Sequence, residues 1–224
     1  MAGYLPKALT TLPPLLLSVR FATTVAQRSQ LPRADVPEIA FVGRSNAGKS
    51  SAINAITQRR RLAFASKTPG RTQALNFFAL GRETDPPVAF LVDTPGYGYA
   101  ATPHAVREGW APLAGHYLAN RESLAGIVLV LDSRRGLTAL DRQLLGFARP
   151  DVPLLALLTK SDKLGFAERR RTEAEVSRAL DVAACQPDLT LISFSANTSL
   201  GLESARSLLE EWLEAERQKK SPAV

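Results

Sequence analysis

The sequence predicts an α/β fold of three layers, in which a mixed, mostly parallel sheet carries helices on both faces. Two observations predict it. Short apolar runs of strand length alternate with longer segments of helical pattern, as in βαβ units. Polar or glycine-rich motifs directly follow several of the apolar runs, and open α/β sheets place their ligand sites at the carboxyl ends of their strands.

The elements can be placed in chain order. Alternating residues from Val19 to Val25 predict a first strand. The two runs that follow the first helix are joined by a short connection, which predicts an antiparallel hairpin. The remaining strands are expected at 39–42, 75–80, 88–92, 127–131, 154–158 and 190–194, and helices at 49–58, 103–120, 138–148 and 167–184. The last helix carries an apolar face of Leu202, Ala205, Leu208, Leu209, Trp212 and Leu213.

The composition describes one globular domain with a basic balance. The chain has 224 residues, of which 45% are hydrophobic, so a full core is available. A net charge of +7 favours polyanionic partners, nucleic acid above all, but does not require them. The single cysteine, Cys185, cannot form an internal disulfide and fits a reducing compartment.

The N-terminal apolar run at 12–17 is too short to span a bilayer and contains two prolines. Only basic charges precede Asp35, so the composition leaves a transit peptide open. The strand pattern that begins at Val19 indicates instead that this region belongs to the fold. We therefore expect a cytoplasmic protein without a membrane contact.

A glycine-rich segment follows the run at 39–42 and precedes a helix: Gly43-Arg44-Ser45-Asn46-Ala47-Gly48-Lys49-Ser50. This is the context in which the pattern G-x-x-x-x-G-K-[ST] binds phosphates. The glycines let backbone N–H groups turn around a phosphate chain, and the helix adds its positive end. We expect Lys49 to reach the β- and γ-phosphates and Ser50 to coordinate Mg²⁺. The alternative is a glycine turn that binds nothing.

The strand at 88–92 leads to Asp93, Thr94, Pro95 and Gly96. An Asp at a strand end fits a carboxylate that holds Mg²⁺ through a water, and the Gly96 amide fits a sensor of the γ-phosphate. Taken alone, such an Asp could equally cap a turn.

Two further strand ends predict recognition of the base: Thr159-Lys160-Ser161-Asp162 and Phe194-Ser195-Ala196. The Asp162 carboxylate can accept two hydrogen bonds from guanine, and adenine offers no such pair of donors. Lys160 can lay its stem along the base, and the Ala196 N–H can serve guanine O6. Found in this order, each at the end of a predicted strand, the motifs together favour GTP over ATP as the bound nucleotide.

These motifs resemble those of translation-factor-class small GTPases, and within them the EngB family of the TrmE-Era-EngA-EngB group. The resemblance covers the chain from about residue 20 to the last helix and implies the P-loop NTPase fold of small GTPases. We expect an N-terminal extension at 1–18, a GTP-binding domain at 19–218 and a tail at 219–224. Besides the motifs above, the resemblance to the EngB family rests on Ser51, Lys67-Thr68-Pro69-Gly70-Arg71-Thr72-Gln73, Asn76-Phe77-Phe78 and Tyr97-Gly98-Tyr99.

The resemblance also implies roles for residues. Thr72 would join Ser50 as a ligand of Mg²⁺, and Lys49, Thr72 and Gly96 would be the catalytic residues. Two switch segments, at 67–73 and 96–102, would change order between the GTP and GDP states. General GTPases carry Asn where this chain has Thr159, as is usual in the EngB family. The segment expected to lie against the phosphates is Gly70, Arg71, Thr72, Gln73 and Ala74.

Hydrolysis is expected to be slow. Ras-like enzymes orient the attacking water with a Gln directly after the Asp-x-x-Gly motif, and Tyr97 stands there. Tyr97 either takes some part in catalysis or packs switch II. In related GTPases, an Asn at the position of Asn46 helps to bind K⁺ beside the phosphates, so K⁺ stimulation is a hypothesis. The alternative is that Asn46 caps its own turn.

The basic clusters at 59–61, 134–135 and 169–171 fit either contacts with RNA phosphates or a solvated surface. The resemblance implies a switch in the assembly of the large ribosomal subunit and, through it, a role in cell division and septation. We expect GTP and GDP, the large subunit or its RNA as partners, and a monomer. An ATP-dependent kinase or ATPase, and a nucleotide-gated binding module without hydrolysis, stay open.

Overall fold

The computed structural model describes residues 14–64, 74–98, 112–183 and 188–220. Its strands form one sheet in the order β1-β3-β4-β2-β5-β6-β7. The β1–β3 and β3–β4 pairs are antiparallel and the others are parallel. This confirms the mixed, mostly parallel sheet and the predicted hairpin. The strands are β1 (Arg20–Val25), β2 (Glu38–Gly43), β3 (Leu75–Leu80), β4 (Ala89–Asp93), β5 (Leu124–Asp132), β6 (Leu154–Thr159) and β7 (Leu189–Ser193).

The described helices cover both faces of the sheet. Residues of α2, α3 and α4 pack in one apolar cluster, and residues of α1 and α5 pack in another on the opposite face. The three predicted layers are therefore confirmed. The part of the second predicted helix at 103–111 lies outside the described residues. The helices are α1 (Lys49–Ile56), α2 (Pro112–Asn120), α3 (Ala139–Leu145), α4 (Phe166–Ala183) and α5 (Leu202–Lys220).

Helix α1 ends at Ile56, earlier than the predicted residue 58. Gln58 has a left-handed φ of 54°, which cannot continue a right-handed helix. The last carbonyls of α1 accept hydrogen bonds from Arg206 of α5, at 2.7 Å to Ile56 O and 2.9 Å to Ala55 O. Arg206 thus supplies donors that the end of a helix lacks.

A buried polar network holds the start of β2, the strand that leads into the glycine loop. The Glu38 side chain is fully buried and accepts a hydrogen bond from Tyr117 Oη at 2.7 Å. Arg121 donates Nε to the same carboxylate, at 3.0 and 3.1 Å from its two oxygens, and also donates Nη2 to it. The charge of Glu38 is therefore paired inside the core, as a buried carboxylate requires.

The N-terminal part of the described chain is attached to the core. A 3-10 turn at Leu15–Ser18 buries Leu16, whose backbone N donates to Glu210 of α5 at 3.1 Å. The predicted boundary at residues 18 and 19 stays a prediction, and residues 1–13 lie outside the described part. Among the described residues, no helix combines the length and apolarity needed to cross a membrane.

Candidate nucleotide-binding site

The glycine loop connects the end of β2 to the start of α1, as predicted. Gly48 has a φ of 101° and Asn46 a φ of 64°, so the loop turns sharply at both positions. At Gly43 the requirement is space, because an added Cβ would lie 2.7 Å from Val130 O of β5. These two glycines let the loop curl between the sheet and the helix, where its amides can meet a phosphate chain.

Lys49 and Asp93 meet at the head of this loop. Lys49 Nζ donates to Asp93 Oδ1, and the side chains are only 10% and 7% exposed. Asp93 ends β4 beside Phe41 of β2, and Ser50 lies in the first turn of α1. A serine hydroxyl and a carboxylate are the hard oxygen donors that suit Mg²⁺ when phosphate oxygens complete its shell. The residues present therefore fit the implied metal.

The start of the predicted switch II lies directly against the glycine loop. Ser45 N donates to Tyr97 O at 2.8 Å, and Tyr97 N donates to Gly43 O at 3.3 Å. A Cβ on Gly96 would come within 3.0 Å of Ser45 Cα, so only glycine permits this approach without displacement. Thr94 and Pro95 connect this segment to β4. The Gly96 amide is thus carried beside the loop that would hold the γ-phosphate.

The whole of the predicted switch I, residues 67–73, lies outside the described residues, and so do residues 99–102 of switch II. Gly70, Arg71, Thr72 and Gln73, which are expected to lie against the phosphates, are among them. Ala74 is described, is nearly buried and precedes β3. The roles of Thr72 in metal binding and catalysis stay predictions.

The Tyr97 side chain points into the core. It is 4% exposed, and its hydroxyl donates to Asp141 Oδ1 of α3 at 2.6 Å. Burial, and then the nearby Asp141 carboxylate, raise the pKa of Tyr97 well above its ordinary value, so the phenol keeps its proton. Thr138 N and Oγ1 donate to the other oxygen of Asp141, at 2.7 and 2.6 Å. This arrangement matches the interpretation in which Tyr97 packs switch II.

Thr159 links β6 to the glycine loop. Its hydroxyl oxygen lies 2.5 Å from Ala47 O and 3.0 Å from Leu131 O, and its one proton can serve either acceptor. The side chain also lies close to Gly48, where an added Cβ would stand 3.3 Å from Thr159 Oγ1. The threonine therefore makes a connection to the loop through its hydroxyl, although it lacks the amide of the general pattern.

Lys160 makes a second connection to the loop. Its Nζ donates to Asn46 O at 2.8 Å and to Asp132 Oδ2 at 2.9 Å. Arg134 donates to both oxygens of the same carboxylate, Nε to Oδ1 at 2.9 Å and Nη2 to Oδ2 at 2.6 Å. Burial raises the pKa of Asp132, but the hydrogen bonds from Arg134 and Lys160 outweigh it and hold the pKa well below its usual range. Asp132 therefore stays charged and holds the side chain of Lys160, the residue predicted to lie along the base.

The expected base-reading residues come together at the ends of β6 and β7. A hydrogen bond from the Ser195 side chain is the main reason that the pKa of Asp162 lies below its ordinary value. Ser161 N donates to Phe194 O at 3.2 Å, which ties the two strand ends together ahead of Ala196. The Phe194 side chain is fully buried, and its backbone N donates to Leu158 O. Phe194 therefore contributes to this region through its backbone.

Two carboxylates of this region were not predicted from the sequence. Asp141 belongs to a capping box with Thr138, and the spacing Thr-x-x-Asp before an apolar run could have revealed it. Asp132 follows the apolar residues of β5 as Asp93 follows those of β4, so the same strand-end rule applies to it. Each also has a partner that is distant in the sequence, Tyr97 for Asp141 and Lys160 for Asp132.

Comparison with known proteins places the chain in a family. A family model described as "50S ribosome-binding GTPase" matches residues 38–160. A "Probable GTP-binding protein EngB" of Bordetella pertussis is 50% identical over 203 residues, covering 89% of this chain and 96% of that protein. The protein of the same description from Paraburkholderia phymatum is 48% identical and covers 89% of this chain and 92% of its own length.

Solved structures show the same fold. A probable GTP-binding protein EngB superimposes with a TM-score of 0.56 at 21% identity, covering 80% of this chain and 99% of that one. Era, solved in complex with MgGDPNP and a segment of 16S ribosomal RNA, gives a TM-score of 0.58 at 20% identity, covering 80% of this chain and 57% of that one. With the family model and the relatives, these findings confirm that the chain belongs to the EngB family of P-loop GTPases.

Proposed function

We propose that this protein binds GTP with Mg²⁺ and hydrolyses it slowly, as a molecular switch. One observation carries the proposal: the phosphate loop and the base-reading strand end are held together. Thr159 and Lys160 both contact backbone carbonyls of the glycine loop, and Asp162 follows them on the same turn. One nucleotide can therefore place its phosphates on the loop and its base at Asp162.

Specificity for guanine follows from the charge of Asp162. Its lowered pKa keeps it a carboxylate near neutral pH, and a carboxylate accepts hydrogen bonds but donates none. Guanine presents two donors to it, whereas adenine would leave it poorly paired. Phe194, Ser195 and Ala196 would close the base site from β7, with the Ala196 N–H serving guanine O6.

Hydrolysis would rest on charge and backbone groups. Lys49 would neutralise the β- and γ-phosphates, and the Gly96 N–H would hold the γ-phosphate, with Thr72 closing the site from switch I. Bound Mg²⁺, held by Ser50 and Thr72, would neutralise charge on the same phosphates. The Tyr97 hydroxyl donates its hydrogen bond to Asp141, so it would not orient the attacking water. This supports slow intrinsic hydrolysis that a partner accelerates.

Asn46 supports a role for K⁺ in that acceleration. Its left-handed backbone is fixed where Lys160 Nζ binds its carbonyl, and the residue is exposed. Its side chain could thus help to hold a monovalent cation beside the phosphates, where an arginine finger acts in other GTPases. Hydrolysis should then be faster in KCl than in NaCl at equal concentration, and equal rates would remove the idea.

The proposed partner is the large ribosomal subunit or its RNA, reached by a cytoplasmic monomer. The family description, the basic net charge and the exposed arginines at 59–61 and 134–135 support this. A role in subunit assembly would in turn affect cell division and septation. RNA contacts of this kind should weaken steeply with salt.

The test combines competition with turnover. GTP, GDP and ATP compete for the protein in the presence of Mg²⁺, and phosphate release is followed over many turnovers with and without large ribosomal subunits. We expect GTP and GDP to bind more tightly than ATP and the subunits to accelerate phosphate release. Equal affinity for ATP would favour the ATPase alternative. Guanine binding without turnover under either condition would favour the binding module.

A further inference from the structure

A polar cavity lies beside the glycine loop and borders the proposed nucleotide site. Its volume is about 250 Å³, and it lies between the loop, the end of β5 and the start of α3. It shares residues 44–47 and Lys160 with the site described above. Lys49, Ser50, Asp93 and Asp162 do not line it. The cavity therefore extends from the glycine loop toward β5 and α3, away from the residues expected to hold the metal and to read the base.

The charges around the cavity are unbalanced. Its lining includes four cationic and two acidic side chains: Arg44, Arg134, Arg135, Lys160, Asp132 and Asp141. Asp132 is already paired with Arg134 and Lys160, at 2.6 and 2.9 Å. Asp141 accepts hydrogen bonds from Tyr97 and Thr138. Among the described residues, no salt bridge joins either carboxylate to Arg44 or Arg135.

Arg44 is the strongest indication that the cavity binds a ligand. Its Nε is buried, and within the described part of the chain it has no hydrogen-bond partner. The side chain packs at Gly98, where an added Cβ would lie 3.3 Å from Arg44 Nε and 2.9 Å from Leu140 Cδ1. A buried guanidinium N–H without an acceptor is unfavourable, and Arg44 also lines the cavity, where its guanidinium can meet an oxyanion.

We propose that this cavity is a second anion site, which takes a phosphate group between Arg44 and Arg135. The forked donors of a guanidinium match phosphate oxygens, and Arg44 and Arg135, which pair with neither of the two carboxylates that line the cavity, supply the charge. The cavity, at about 250 Å³, has room for a phosphate group and bridging waters. Arg134 and Arg135 are exposed, so the group can belong to a long polyanion.

The phosphate can come from an RNA backbone or from free phosphate. RNA is the source that the proposed function implies, and only this choice of source rests on it. Because Gly98 of switch II and Ser45 of the glycine loop both line the cavity, a bound phosphate would lie against two segments that respond to the nucleotide. Binding at the two sites would then be coupled, and the coupling would be reciprocal.

The first experiment uses the full-length protein saturated with Mg²⁺ and GDP, so that the glycine loop is already filled. The affinity for a labelled single-stranded RNA oligonucleotide is measured by anisotropy at several salt concentrations. Arg135→Gln should weaken binding and reduce the slope of log K against log salt by about 0.7, the value for one lost phosphate contact. The control Arg178→Gln makes the same charge change at an exposed position on α4 that does not line the cavity. It should keep the slope, and both variants should keep the GDP affinity.

The second experiment adds inorganic phosphate at constant ionic strength and follows the thermal midpoint. Phosphate should raise the midpoint of the wild type and of Arg178→Gln but not that of Arg135→Gln. If this holds while RNA binding is unaffected, the anion site stands and RNA is the wrong source. Equal RNA slopes in both variants, together with no phosphate-dependent difference in midpoint, would overturn the proposal. GDP binding by the same samples tests the nucleotide site separately.

Discussion

Tyr97 Oη and Asp141 Oδ1 lie 2.6 Å apart in the interior of the protein. This hydrogen bond joins the first residue after the Asp-x-x-Gly motif to helix α3, on the side of the glycine loop where the cavity lies. The residue that holds the place of the water-orienting Gln in other GTPases therefore serves the packing of switch II. The backbone of Tyr97 is also hydrogen-bonded to Gly43 at the end of β2 and to Ser45 of the glycine loop. Switch II would therefore be fixed at Tyr97, where it begins.

Removing this hydroxyl tests its role. Tyr97→Phe should lower the free energy of unfolding by about 1.5–3 kcal/mol, the range for a hydrogen bond to a charged group. Single-turnover GTP hydrolysis by the folded protein should keep its rate, because the hydroxyl donates its hydrogen bond to Asp141 inside the protein. Urea denaturation and phosphate release measure the two effects. Tyr117→Phe is the matched control, since Tyr117 also donates to a buried carboxylate, Glu38, but far from the site. A much slower hydrolysis at unchanged stability, seen for Tyr97→Phe alone, would show that Tyr97 acts on the reaction.

The hydroxyl of Thr159 should matter for both nucleotides equally. Thr159→Val keeps the shape of the side chain but leaves the buried carbonyl of Ala47 without this donor, which should cost about 1–3 kcal/mol of stability. Because GTP and GDP share the glycine loop, their dissociation constants should rise by the same factor. Calorimetric titration with each nucleotide checks this, with Thr190→Val on β7 as the control. Unchanged affinities in a destabilised Thr159→Val protein would limit the hydroxyl to a role in the fold.

The packing of α5 on the sheet depends on Gly126. A Cβ there would stand 2.1 Å from Trp212 Cε3 and 2.5 Å from Cζ3, far closer than two atoms can pack. Gly126→Ala should therefore destabilise the protein by about 1–3 kcal/mol through overpacking. Adding Trp212→Leu should recover part of that loss, and denaturation of the four proteins in a double-mutant cycle measures the coupling. Gly115→Ala is the control, because its Cβ would meet Phe147 at an ordinary 3.7 Å. If the changes in unfolding free energy of Gly126→Ala and Trp212→Leu were strictly additive, the close contact between Gly126 and the Trp212 ring would be contradicted.

The stabilising effect of Asp132 should depend on pH. Its pKa is lowered in the folded protein, since the hydrogen bonds from Arg134 and Lys160 exceed the effect of burial. Such a carboxylate stabilises the fold above its unfolded pKa of about 3.9, and the stabilisation is lost as the pH falls through the lower folded value. Asp132→Asn should thus be less stable than the wild type at neutral pH, and the difference should shrink below about pH 4. Urea denaturation across this range measures it. A difference that stays constant with pH would mean that the charge of Asp132 does not stabilise the fold.

The parts of the fold and the site that local patterns encode could be predicted. The glycine loop, Asp93 and Asp162 follow apolar runs, and the chemistry of each motif is contained in a few consecutive residues. What could not be predicted depends on contacts between distant segments. Arg206 caps α1 from a helix 150 residues away, Asp141 receives Tyr97 across the core, and the hydroxyl of Thr159 reaches Ala47 only because β6 lies near the loop. None of these pairs has a signal in the spacing of the sequence.

The central claim is that Asp162 reads guanine, and exchange of one atom tests it most directly. Affinities for GTP, GDP, XTP, XDP and ATP are measured by titration for the wild type and for Asp162→Asn. Asn offers an N–H where the carboxylate only accepts, so it can pair with the 2-oxo group that xanthine carries in place of the amino group of guanine. We predict that the variant loses affinity for guanine nucleotides and gains affinity for xanthine nucleotides. Guanine and adenine nucleotides that bind alike in both proteins would contradict the GTP-binding account.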